Sequence, residues 1–213
     1  MSPFPFRLSC ATLACALLLG GCGGQEPAAA PASREVPGAD ALPAAPADPA
    51  SEVRASMGRF LAARSFHATL RMDAAQPVEH TMEFVAPDRY RIGLPAGTQV
   101  VIGDTLYMQA GGRRQEVPLE PGVLSEWRDP MRIGSLGDAL QVEDRGVDML
   151  DGQAARRYRV QHGDPQPVAF DYWIDAHGLP LQIVADGSGP QGDYTLTVRY
   201  ARFNDPGIRI DPP

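Results

Sequence analysis

Lysine is absent from these 213 residues, and all 19 basic residues are arginine. The bias fits a GC-rich genome better than a demand for guanidinium chemistry. Acid outnumbers base, the formal net charge is −7, and no cluster of arginines forms a phosphate-tracking stripe, so a nucleic-acid partner is excluded. Cysteine occurs only at Cys10, Cys15 and Cys22, so the rest of the chain has no thiol pair and no disulfide. The apolar run Leu8–Leu19 is twelve residues. As a helix it spans roughly 18 Å, short of a hydrocarbon layer about 30 Å thick, so it is no permanent transmembrane span. A G-x-S-x-G elbow and a cysteine nucleophile are missing, and His67, His80, His162 and His177 make no metal motif. His80 lies on the apolar side of its segment, where a hydrogen-bonded core histidine is the expectation. Asp148, Asp151, Asp171 and Asp175 fall on strand exteriors and turns, where solvated carboxylates normally sit. No catalytic residue, metal or cofactor is expected.

What is present begins with Arg7, the apolar run and the small residues after it. This is the layout of a signal peptide over residues 1–21. The segment Leu19-Gly20-Gly21-Cys22 resembles the lipobox of bacterial lipoproteins, with Cys22 as the lipidated residue. An ordinary secretory signal that happens to contain cysteine is the other reading, and export is common to both. From Gln25 to Ala50 the chain is almost wholly Ala, Pro, Gly, Asp, Glu and Ser, with Val36 and Leu42 its only sizeable apolar residues. Such a segment cannot build a core, so residues 22–50 read as a tether. Its reach is roughly 30 Å as a coil and about 85 Å as polyproline II. Acyl chains contribute about 0.8 kcal/mol per buried CH₂, so attachment to the membrane is expected through Cys22 alone.

Residues 51–213 suffice for one domain with its own core. Asp48 or Ser51 is the candidate cap of a first helix, with Val53, Met57, Phe60 and Leu61 on one stripe. From Ser65 the apolar period changes to two. It places Phe66, Ala68, Leu70 and Met72, then Met82 and Phe84, then Tyr90 and Ile92 on one face. Tight turns at Ala86-Pro87-Asp88, Gly103-Asp104 and Gly111-Gly112 predict an antiparallel meander. The rhythm breaks over 122–140, which reads as one or two short helices containing Trp127 and Met131. It resumes through Val142–Met149, Ala154–Gln161, Val168–Ile174, Leu179–Ile183 and Tyr194–Tyr200, with a brief final edge strand at Ile208–Ile210. About ten antiparallel strands with one apolar face must curl or be covered, and the helices are the cover at hand. The fold class is α+β: a strongly curved, unclosed antiparallel sheet with two or three helices on its concave face.

Three phrases, in order, are similar to the superfamily of LolA, LolB and LppX-type lipoproteins. Phe84-Val85-Ala86-Pro87-Asp88-Arg89-Tyr90-Arg91 resembles its F-x-x-P-D-R-Y-R segment, and Val101–Tyr107 the strand pair after it. Tyr172-Trp173-Ile174-Asp175 with Gly178-Leu179-Pro180 resembles its WID-x-x-G-L-P hairpin. The resemblance implies a half-barrel whose cavity receives acyl chains or other apolar ligands. The inward residues implied as its lining are Leu70, Met72, Met82, Phe84, Tyr90, Ile92, Phe170, Tyr172, Ile183, Leu196 and Val198, opposite Trp127 and Met131. For each of them plain core packing is the competing reading.

Two functions stand side by side. One is a membrane-anchored periplasmic lipoprotein that binds or transfers a hydrophobic ligand, a lipid or the acyl chain of another lipoprotein. The other is a non-enzymatic envelope interaction or sensor lipoprotein with the same fold and a filled core. The residue after Cys22 is Gly23, not the Asp that retains lipoproteins in the inner membrane, so the expected location in a two-membrane cell is the periplasmic face of the outer membrane. The sequence names no protein partner.

Overall fold

A computed structural model describes residues 47–110, 113–129, 140–163, 168–190 and 192–212. The signal segment, Cys22, nearly all of the tether, the Gly111-Gly112 turn and Met131 lie outside the described residues.

Helix α1 (Pro49–Ala62) starts where a cap and a first-turn proline coincide: Asp48 accepts from the Ala50 amide at 3.1 Å. Its stripe of Val53, Met57 and Phe60 is no more than 4% exposed, worth about 1.5–3 kcal/mol per side chain. Leu61, expected on that stripe, is 42% exposed, because the helix ends in the next turn and leaves it at the rim.

Six strands follow: β1 (Ser65–Asp73), β2 (Val78–Val85), β3 (Arg89–Leu94), β4 (Gly97–Ile102), β5 (Thr105–Ala110) and β6 (Arg113–Pro118). A short α2 (Val123–Arg128) separates them from β7 (Gln141–Leu150), β8 (Gln153–His162), β9 (Val168–Ile174), β10 (Pro180–Gly189) and β11 (Gly192–Ala201). All eleven join one antiparallel sheet in the order β6-β5-β4-β3-β2-β1-β11-β10-β9-β8-β7. The two meanders are sewn together by β1 and β11, with Met72 opposite Leu196 and Leu70 opposite Val198. Strands β6 and β7 remain edges, so the sheet curves without closing: the expected half-barrel, with eleven strands instead of about ten.

Turn chemistry sets the register. Asp151 and Gly152 both take positive φ (51° and 84°), the primed geometry of a two-residue hairpin, between β7 and β8. Between β9 and β10, Asp175 accepts from the His177 and Leu179 amides at 2.9 and 2.8 Å, and Gly178 sits at φ 77°.

Two strand readings change. A register shift between Pro180 and Gln182 puts Leu181 in a bulge, so Leu181 does not share an unbroken alternation with Ile183. Ile208–Ile210 forms no strand, although Ile208 and Ile210 are buried. Arginine side chains hold that segment instead: Arg89 donates to the Ile210 carbonyl at 2.8 Å and Arg91 to that of Arg209 at 2.7 Å. Two apolar residues spaced like a strand mark burial, and here side-chain donors satisfy the backbone that a neighbouring strand would otherwise pair.

The convex face is polar. Asp171 meets Arg157 at 3.0 Å and Arg159 at 3.4 Å, Glu83 meets Arg91 at 2.7 Å, and Trp173 lies under Arg157 while donating to Asp148 at 3.1 Å.

Candidate functional site

The concave face is a gradient. Along β1 its side chains run from Phe66 (1% exposed) and Ala68 (2%) to half-buried Leu70 and then Met72 (38%). Neighbouring strands repeat the trend: Phe84 and Tyr90 are buried, Met82 and Ile92 half-buried, and on β11 Val198 is buried whereas Leu196 keeps part of its surface. One end of the sheet is therefore packed, and the other is a partly exposed apolar face, the trough.

The packed end is a chain of rings. Trp127 meets Tyr90 edge-on at 5.5 Å, Tyr90 meets Phe84 at 5.1 Å, Phe84 stacks on Phe66 at 5.2 Å, and Phe66 meets Phe60 of α1 at 5.1 Å. Ring pairs at such separations add about 0.5–1.5 kcal/mol each beyond the area they bury. Polar tips then fix α1 across the strands: Tyr158 donates to Glu52 at 2.6 Å, and the Ser56 and Tyr172 hydroxyls lie 3.2 Å apart.

Burial holds these phenols in their neutral form. It pushes Tyr90 up to about 12, with Arg128 opposing the shift, and it raises Tyr158, Tyr172 and Tyr200 as well. A raised native pKa means that the folded chain holds its proton longer than the unfolded one, so stability falls as pH rises past the unfolded value near 10. Urea midpoints are therefore expected to be level up to about pH 9 and to drop steeply between about pH 10 and 12. A midpoint that stays level across that window contradicts this packing of the phenols.

Arg128 on α2 is the residue that hydropathy patterning missed, because a cation on an apolar face breaks the pattern instead of making one. Its guanidinium carbon lies 4.0 Å from the Phe84 ring centre, 5.0 Å from Phe60 and 5.4 Å from Phe66. Nη2 donates to the Phe60 and Leu61 carbonyls at 3.1 and 2.9 Å, capping the C-terminal end of α1, where a cation also suits the helix dipole. Burial lowers its pKa, with Tyr90 and Tyr200 acting in the opposite sense. Arg156 is a second concave-face cation, 8% exposed and 3.1 Å from Asp144.

The candidate lining residues thus divide. Phe84, Tyr90, Phe170, Tyr172, Ile183 and Val198 are enclosed by the chain's own side chains. Leu70, Met72, Met82, Ile92, Leu196 and Trp127 keep accessible surface. His80, opposite Leu70 in the trough, is half-buried and its Nδ1 has no hydrogen-bond partner, so it is not the hydrogen-bonded core histidine expected. His162 is buried. At the far end the Tyr194 ring lies across Gly187, where a Cβ would come within 2.5 Å of it.

Two hollows are lined by described residues. One, of about 650 Å³, sits beside α2 among Asp88, Asp104, Leu119, Glu120 and Leu124; the other, of about 480 Å³, lies among Asp73, Asp186, Asp193 and Thr195. No group of three His, Cys, Asp or Glu among the described residues is placed to hold a metal ion. The aspartates expected on strand exteriors and turns have structural partners: Asp171 with two arginines, Asp151 with Arg199, Asp175 in its turn. The Trp173 indole, followed by the Met149 amide, holds the Asp148 carboxyl below its usual range.

Among solved structures this architecture has counterparts. The lipoprotein LppX of Mycobacterium tuberculosis superposes with a TM-score of 0.57 over 76% of this chain and 97% of its own, at 15% identity. The fold is that of LppX. LprF of Mycobacterium bovis matches with a TM-score of 0.54 over 76% of this chain and 96% of that one, at 14% identity. No protein-family model matches the sequence, and no curated protein matches it. At such identities the likeness is one of fold, and it agrees with the half-barrel expected from the three sequence phrases.

Proposed function

We propose that the protein is an exported lipoprotein, tethered through an acylated Cys22 and residues 22–50, that binds the apolar part of a lipid or lipoprotein in the trough of its half-barrel. The observation that carries the binding reading is the gradient on the concave face. The face leaves Leu70, Met72, Met82, Ile92 and Leu196, neighbours on adjacent strands, partly bare beside a fully enclosed aromatic end. Thioethers among them suit ligands of varied shape. The proposed location is the periplasmic face of the outer membrane, following from Gly23. The likeness in fold to LppX, itself a lipoprotein, supports the tether.

The test is displacement of a fluorescent fatty-acid probe. Met82→Glu and Leu196→Glu, both at half-buried positions, are expected to weaken probe binding at least about tenfold, since each sets a carboxylate against apolar ligand, while circular dichroism stays native. Unchanged binding in both variants sinks the trough as the site. No uptake at all by the unaltered protein favours the other reading, an interaction lipoprotein whose core is full.

A further inference from the structure

We infer that Arg128 receives the anionic headgroup of the ligand, so that the trough is built for a carboxylate- or phosphate-bearing amphiphile and not for a neutral lipid. The inference rests on the lipid-binding reading above and names its ligand class. Arg128 Nη1 is shielded from solvent and has no hydrogen-bond partner, while both of the bonds found go from Nη2 to the carbonyls at the end of α1. No Asp or Glu forms an ion pair with Arg128 among the described residues. The ring faces around it attract a cation but offer no acceptor for an N–H. A guanidinium taken out of water without a counter-charge is costly, and carboxylate and phosphate oxygens are the groups that complete it best.

Position agrees with charge. The guanidinium lies over Phe84, and the next concave position on β2 is Met82, roughly 7 Å along the strand, where the bare surface begins. A headgroup at Arg128 would lay its chain over Met82 and Leu70 toward Leu196 and Met72, the direction in which exposure increases. His80, with its own unpaired Nδ1 beside Leu70, supplies a second polar point in the trough.

The experiment compares three probes of one chain length, dodecanoate, dodecyl phosphate and dodecanol, by displacement of an uncharged fluorescent lipid from the full mature protein. At least one anion is expected to bind about tenfold or more tightly than the alcohol, the size of one charge-assisted hydrogen bond. A preference for dodecanoate points to a fatty acid and one for dodecyl phosphate to a phospholipid headgroup. In Arg128→Gln the anion's affinity falls to that of the alcohol while the alcohol's is unchanged. Should that variant fail to fold, Arg128→Lys is read instead and shows a reduced preference. Equal binding of all three probes overturns the inference and leaves lipid binding standing, as does a preference undiminished in either variant. Failure of all three to bind removes the lipid-binding reading itself.

Discussion

Cys22→Ser is expected to move the protein from the membrane fraction wholly into the soluble periplasm and to abolish incorporation of labelled palmitate. The proposed signal segment is untouched by the change, so on that reading export continues and the acyl anchor alone is lost. Each buried CH₂ contributes about 0.8 kcal/mol, so on the proposed reading several acyl chains make a lasting anchor. The tether offers Val36 and Leu42 as its only large apolar residues, and among the described residues no helix is long and apolar enough to cross a membrane. The companion change Gly23→Asp is expected to keep the lipidated protein in the inner membrane of a two-membrane host. Membrane residence that survives Cys22→Ser contradicts the acyl anchor and leaves a surface contact to explain it.

Phe66→Ala is expected to destabilise the domain by about 3–5 kcal/mol, the usual cost of removing a buried ring from a core that cannot collapse around the gap. Phe66 is 1% exposed and touches Phe60, Phe84, Tyr200 and Phe203, so its loss removes part of the packing between α1 and the sheet and opens the cage around Arg128. For a domain of this size the midpoint of thermal unfolding should fall by roughly 10 °C. Met72→Ala, on the same face of the same strand, is expected to cost less than about 1 kcal/mol, because Met72 packs against little. Equal losses at the two positions would mean that the gradient of burial does not reflect packing.

Much of this molecule was legible in its sequence because the alternation of period two in Phe66–Met72, Met82–Phe84 and Tyr90–Ile92 is strict and bounded by turn residues. That fixed the strands, their antiparallel meander and the face turned inward. The LppX-like phrases added the unclosed topology, which alternation alone cannot specify, since the β1–β11 pairing joins residues far apart in the chain. Period two also marks which side a residue faces and not how deeply it is covered. Phe84 and Met82 belong to one inward row, yet only the first is fully buried, with Arg128 of α2 over its ring. Ile208 and Ile210 carried the spacing of a strand, but arginines supply their partners. Arg128 left no hydropathy signal at all, since its role depends on carbonyls freed by a helix ending more than 60 residues earlier.

Whether the half-open concave face holds an apolar ligand is decided by native mass spectrometry with lipid extraction on the Cys22→Ser protein purified from a bacterial periplasm. The predicted result is a population carrying an added acyl-containing mass that is released by organic solvent and absent from Met82→Glu. A bare polypeptide mass in both proteins, with no uptake of added fatty acid, would contradict it.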